Sequence, residues 1–154
     1  MRSRRDDLLP AGEATVEPWP PSHEVADHTA EVQVRLRAGS LADLLAEAGR
    51  ALAGLQLRGL PLRAGGEWRP IEVTAPDRDR LLADWLNELI YLAESDRWVA
   101  TEFDLATPGP GTLRGRARGV TLDRALGLVK AATMHGLRVD EIPGGLSAEV
   151  ILDV

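Results

Sequence analysis

A chain of 154 residues with a formal net charge of −6 and no cysteine excludes several classes of protein. It is long enough to bury one hydrophobic core, and it cannot form disulfides, a zinc–thiolate site or a catalytic thiolate. Its acidity argues against a dedicated nucleic-acid binder, whose footprint is basic. There is no apolar run of membrane-spanning length, and Met1-Arg2-Ser3-Arg4-Arg5 leads into acids and prolines instead of a secretory apolar region, so the expected setting is cytoplasmic with no membrane partner.

Arginine supplies 17 of the 18 basic residues, and Lys130 is the one lysine. Codon composition explains such a bias and would make a single lysine an accident. The alternative is a position that needs a compact ammonium and where a guanidinium fork would not fit. The lead to residue 22 carries three arginines against four acids, which leaves about −5 on the remainder, so the acidity belongs to the folded part.

Residues 1–22 read as a disordered N-terminal extension, because Pro10, Pro18, Pro20 and Pro21 break any regular element. Trp19 is the one residue there able to dock on the domain, which spans 23–154. Asp27-His28-Thr29-Ala30-Glu31 then places two acids and a histidine at the mouth of an alternating run. Val32, Val34 and Leu36 share one face of that run, as in a half-buried strand. Ser40 is suited to N-cap a first helix, with Asp43 three residues on as a weak capping box. Leu41, Leu44, Leu45, Ala48, Leu52 and Leu55 make its apolar stripe, and Gly59 and Pro61 end it. Residues 71–75 alternate as a short strand.

Asp77 is expected to N-cap a second helix, with Asp79 placed for the helix dipole. Leu82, Trp85, Leu86, Leu89, Ile90 and Ala93 form its buried stripe with Trp85 as core anchor, and Asp84, Asn87, Glu88 and Glu94 are assigned to a solvated surface. Strands follow over 98–105, 113–120 and 128–133. The last is interrupted at Met134-His135-Gly136 and continues to Asp140. Pro143-Gly144-Gly145 turns into a terminal apolar strand, closing a hairpin. Arg114, Arg116 and Arg118 share one strand face roughly 7 Å apart. The spacing suits phosphate, but we assign it to a wet sheet face. Strands and two helices in separated blocks predict a single α+β domain, largely antiparallel in its β-sheets, packed with two main α-helices. Gly109-Pro110-Gly111 lacks the lysine and the helix of a phosphate-binding loop.

The two ends of the chain are expected to meet, with their carboxylates forming a site. The candidates are Asp27, His28, Glu31, Lys130, His135 and Asp153. Carboxylates with at most a histidine make a hard-oxygen site suited to Mg2+, Ca2+ or Mn2+. Each candidate also has a plainer assignment. Glu31 serves as a solvent-facing strand residue, Asp153 as an acid in water, His28 as a histidine bonded to backbone, and His135-Gly136 as a strand break. A metal-bound water served by Asp27, His28 and Glu31 would make a small phosphoester hydrolase. The sequence holds no H-x-x-x-H or G-x-S-x-G motif to support it.

Four blocks together resemble the archease family: Asp27-His28-Thr29-Ala30-Glu31, Asp84-Trp85-Leu86-Asn87-Glu88-Leu89-Ile90-Tyr91-Leu92, Val129-Lys130-Ala131-Ala132-Thr133-Met134-His135-Gly136, and Leu152-Asp153-Val154. They occur in the family order and span residues 24–154. The resemblance implies a non-enzymatic protein cofactor of the GTP-dependent RtcB-type RNA ligase, which joins RNA ends in tRNA splicing and RNA repair through a guanylylated histidine of its own. The cofactor promotes guanylylation and multiple turnover, and RNA is met only through the ligase. A link to chaperoning a tRNA methyltransferase is the alternative within the family. The resemblance further implies a divalent metal, Ca, Mg or Mn, held by Glu31, Asp153 and the main chain of Val154. Lys130 is the implied functional lysine, and Asp27, His28 and His135 are assigned with it to activation of the partner.

Three departures stand out. Glu31 is one methylene longer than the family's usual aspartate, which keeps a hard carboxylate but changes ligand reach. Met134 occupies a position commonly held by tyrosine, and the proline-rich lead exceeds the usual start.

Overall fold

The computed structural model describes residues 16–27, 30–58, 60 and 65–154. In chain order the elements are β1 (Ser22–Asp27), β2 (Glu31–Ala38), α1 (Leu41–Gln56), β3 (Arg69–Thr74), α2 (Arg78–Ser95), β4 (Trp98–Gly109), β5 (Thr112–Thr121), β6 (Ala131–Ile142) and β7 (Gly145–Asp153). They form a four-stranded sheet ordered β1-β2-β7-β6 and a three-stranded sheet ordered β3-β5-β4. Every strand pairing is antiparallel. This is the α+β architecture that the sequence pattern predicts.

Alternation sets the inner face of the larger sheet. Val32, Val34, Leu36 and Ala38 of β2 are buried, and they stand in register with Leu152, Val150, Ala148 and Leu146 of β7, also buried. Both helices end on the predicted caps. Ser40 Oγ accepts from the Asp43 amide at 3.1 Å, and Asp77 Oδ1 accepts from the Arg80 amide at 2.8 Å. α1 packs on β2 and β4, and α2 on β6 and β4. Trp85 ties these layers together. Its side chain is fully buried, its indole N–H donates to the Leu45 carbonyl of α1 at 2.8 Å, and its ring meets Phe103 of β4 edge-on at 5.8 Å. Gly49 of α1 lies over the same Phe103 ring, where a Cβ would come within 2.5 Å of Cζ.

The structure corrects several sequence expectations. β1 was not anticipated: residues 22–26 are exposed on an edge strand, so no apolar periodicity announces it. The 128–133 strand begins only at Ala131, because β7 offers no rung beyond Asp153 for residues 128–130 to pair with. Trp19 of the proline-rich lead is docked. Its indole N–H donates to the Pro143 carbonyl at 3.0 Å, its amide to that of Gly144 at 3.1 Å, and Arg37 lies over its ring. The arginine stripe of β5 is the solvated sheet face expected of it, and it is neutralised in place. Arg114 pairs with Glu72, Arg116 with Asp104 and Arg118 with Glu102, while Trp68 stacks against Arg116 and Arg118.

Asn87 is the sharpest correction. Instead of facing solvent, its carboxamide binds the main chain of Ala132: Oδ1 accepts from the amide at 2.8 Å, and Nδ2 donates to the carbonyl at 3.1 Å. Asp79 does similar work further along, accepting from the Val139 amide at 2.8 Å. β6 is the last strand of its sheet, so α2 satisfies edge groups that a further strand would otherwise pair.

Replacing Trp85 by alanine is expected to cost about 3–5 kcal/mol, as for other fully buried aromatics. Tyr91→Ala, on the exposed face of the same helix, should stay within about 0.5 kcal/mol. Urea denaturation measures both, and similar costs at the two sites would contradict the core described here.

Candidate functional site

The register that buries Val32 against Leu152 also sets the next residue of each strand side by side. Glu31 stands opposite Asp153, with Ala131 on the far side of Asp153. Directly opposed residues have Cα atoms roughly 5 Å apart, and because neighbours on a strand alternate in face, Glu31 and Asp153 share the outer, exposed face. Two main-chain bonds draw in the flanking residues. The Lys130 amide donates to the Asp153 carbonyl at 2.8 Å, and the Val154 amide to the Ala30 carbonyl at 3.3 Å. One end of the sheet therefore gathers Glu31, Lys130, Asp153 and Val154.

The acids of this corner differ from most other strand acids of the two sheets. Arginines hold Glu149, Glu72, Asp104, Asp140 and Glu141 at 3.0–3.4 Å. Among the described residues, neither Glu31 nor Asp153 has a side-chain ion pair or hydrogen bond, and the Lys130 ammonium has none either. Two like charges directly opposite one another disfavour the pairing they sit on. A cation would reverse that sign.

Lys130 and Val154 open onto different sides of the corner. Lys130 lines a groove of about 490 Å3 between α2 and the connection before β6, with Asn87, Ile90, Tyr91, Glu94 and Val129. Val154 lines a second groove of about 400 Å3 with Val32, Leu55, Arg58, Leu128 and Val129. Val129 is the wall between them. Gly127, at φ +63°, turns the chain into this wall in a left-handed conformation that suits glycine.

Among the described residues, the remaining candidates stand off the Glu31–Asp153 rung. Asp27 closes β1 in register with Val32, and His28 lies outside the described residues. His135 sits beyond the third rung of the β6–β7 ladder, in a bulge between Thr133 and Arg138, where it is exposed and followed by Gly136 at φ +68°. Asn87 is the residue that sequence reasoning missed. A signal for it existed: it lies four residues after Ala83 and three before Ile90, both buried, and thus on the face that packs.

The oxygen donors the sequence reading assigns here, the Glu31 and Asp153 carboxylates and the main chain of Val154, are all hard. Among the described residues no group of three His, Asp or Glu side chains closes into a cage. The set fits a hard divalent ion that keeps water in its shell and does not fit a fully protein-ligated one.

Residues 23–154 match the Archease protein family (MTH1598/TM1083). Protein archease of Methanopyrus kandleri is 33% identical over 144 residues, which cover 89% of this chain and 99% of that one. The solution structure of protein 1598 from Methanobacterium thermoautotrophicum superposes with a TM-score of 0.68 at 27% identity, over 86% of this chain and 98% of the other. The fold is shared, at a TM-score of 0.52 and 18% identity, with a crystal structure from Thermotoga maritima described as an archease and possible chaperone, over 88% and 97% of the two chains.

Because Glu31 and Asp153 repel across the ladder, Asp153→Asn should stabilise chelator-treated protein by a few tenths of a kcal/mol, up to about 1. Denaturation in the presence of EDTA tests the sign. A loss of stability would mean that the carboxylate has a favourable partner.

Proposed function

The chain belongs to the archease family, and we propose that it serves as a non-enzymatic, metal-binding cofactor of a GTP-dependent RtcB-type RNA ligase. It promotes guanylylation and multiple turnover of that enzyme in tRNA splicing and RNA repair, works in the cytoplasm and meets RNA through the ligase. The observation that carries this proposal is the Glu31–Asp153 pair, two unneutralised carboxylates on adjacent strands whose main chain also holds Lys130.

Glu31, Asp153 and the Val154 carbonyl would hold a Ca2+, Mg2+ or Mn2+ ion. Such an ion supplies concentrated positive charge for phosphate or carboxylate oxygens of the partner. The protein's own part is positioning. The β2–β7 ladder keeps the two carboxylates in register, and the Asp153 carbonyl anchors the lysine backbone, so that one rigid corner presents acid and ammonium together. A chain of net charge −6 suits approach to a basic, phosphate-binding cleft. His135 stands exposed on the β6 bulge, apart from the carboxylate rung, and would meet the partner there, while Asp27 and His28 precede Glu31 in sequence.

A second role, as chaperone of a tRNA methyltransferase, draws support from the apolar walls of the two grooves, which need no metal to engage a partner. A hydrolase built on Asp27, His28 and Glu31 draws none from the register, which pairs Glu31 with Asp153 and Asp27 with Val32.

In multiple-turnover ligation with limiting ligase, GTP and metal, the protein should stimulate product formation several-fold. Lys130→Ala and Asp153→Ala should each abolish the stimulation while keeping the far-UV circular dichroism of the parent. Undiminished stimulation by both variants would overturn the proposal. Independently of activity, Ca2+, Mg2+ or Mn2+ should raise the Tm of the parent and not that of Asp153→Ala. At a hundredfold excess over Kd the linkage amounts to about 2.7 kcal/mol.

A further inference from the structure

We infer that Asn87 is a positioning residue for Lys130: by clamping both main-chain groups of Ala132, it fixes where the lysine ammonium stands. This rests on the functional role proposed for Lys130 above.

Ala132 is paired with Leu152 on one side and, lying in the last strand of its sheet, has no strand on the other. Asn87 fills that place. Its Oδ1 accepts the Ala132 amide at 2.8 Å and its Nδ2 donates to the carbonyl at 3.1 Å, which is the donor–acceptor pattern of a neighbouring strand delivered by one side chain. Few residue types can do this. Aspartate lacks the donor, lysine lacks the acceptor, serine is too short, and glutamine is longer by a methylene.

The clamp matters for Lys130 because the chain from 122 to 130 has no regular structure. Among the described residues, the main chain of Lys130 is tied by its amide to the Asp153 carbonyl, and the buried Val129 anchors the residue before it. With Ala132 held by α2 and Lys130 by β7, the three residues 130–132 are fixed from both sides. Asn87 and Lys130 also line the same groove, so the residue that sets the backbone shares a wall with the lysine.

α2 contains its own control. Asp79 makes a comparable bond to the Val139 amide at 2.8 Å, eight residues earlier on the helix and so about 12 Å away along its axis. Between the two clamps lies the β6 bulge, where the register with β7 is lost after Thr133 and regained at Arg138. Asp79 therefore supports the fold without fixing the Lys130 end of the strand.

The test compares Asn87→Ala with Asp79→Ala in the full-length chain, using stimulation of the ligase and one readout that a merely structural role would not move. That readout exploits the single lysine. Reductive methylation with 13C-formaldehyde labels Lys130 as the only side-chain amine, and its methyl resonance reports the surroundings of the ammonium. Asn87→Ala should move this resonance towards that of a free lysine and remove most of the several-fold stimulation, as expected when a contacting group is misplaced. Asp79→Ala should leave the resonance in place and stimulation within about twofold of the parent. Amide exchange at Ala132 should speed up in Asn87→Ala alone. Full stimulation by Asn87→Ala, where Lys130→Ala has lost it, would overturn the inference and leave the ligase role standing. Equal loss in Asp79→Ala would overturn it as well, by showing a structural effect of α2 in general. Full stimulation by Lys130→Ala would instead overturn the functional role on which the inference rests.

Discussion

The pairing of β2 with β7 is the constraint on which the rest depends. Its eight rungs run from Glu31 opposite Asp153 to Ala38 opposite Leu146. Because side chains alternate with period two, the same register that stacks Val32 on Leu152 and Val34 on Val150 inside must set Glu31 beside Asp153 outside. A slip by one residue would turn both valines to water and scatter the carboxylates. The apolar face thus specifies the polar one, and the core stabilises a pair of charges that would not choose to be neighbours.

That tolerance is local. Elsewhere the arginine-rich composition is spent on neutralising strand acids one by one, and even the β5 stripe, whose spacing suits phosphate, is balanced by Glu72, Asp104 and Glu102. Exposed pairs of this kind contribute little to stability, on the order of 0–1 kcal/mol each. What they do is remove stray field from the surface. Among the described residues of the sheets, two carboxylates and one lysine without side-chain partners then share a single corner. Trp85 and Asn87 make that corner rigid by different means, one through the core and one through the edge of β6.

How much of this was legible in the sequence follows from which residues face the core. β2, β7 and both helices were readable because half of their side chains are buried, and burial leaves a period in the hydrophobicity. The caps at Ser40 and Asp77 were readable because capping chemistry uses few residue types. β1 left no trace, since an exposed edge strand needs no apolar face, and residues 128–130 read as strand although no partner remains for them to pair with. The candidate site was half legible. Glu31, Asp153, Val154 and Lys130 were named and lie together, but spacing along the chain does not say that Asp27 would pair with Val32 or that a three-residue excess in β6 would carry His135 away from the carboxylate rung. Asn87 was misread because an asparagine near the boundary of an apolar stripe looks the same whether it meets water or a backbone. Only the position of β6 decides which.

The β2–β7 ladder also fixes when the corner can come into being. Its strands join residues such as Arg35 and Glu149, which lie 114 positions apart along the chain. On a ribosome, β2 and both helices emerge long before β7 exists, and until then the inner face of β2 lacks its neighbour. Closing so long a loop is entropically costly and slow, and topologies dominated by such contacts fold in milliseconds to seconds. The carboxylate pair and the lysine beside it are therefore among the last features to assemble. A nascent or truncated chain that has buried its helices still lacks them, so the corner exists only once β7 has been made and paired.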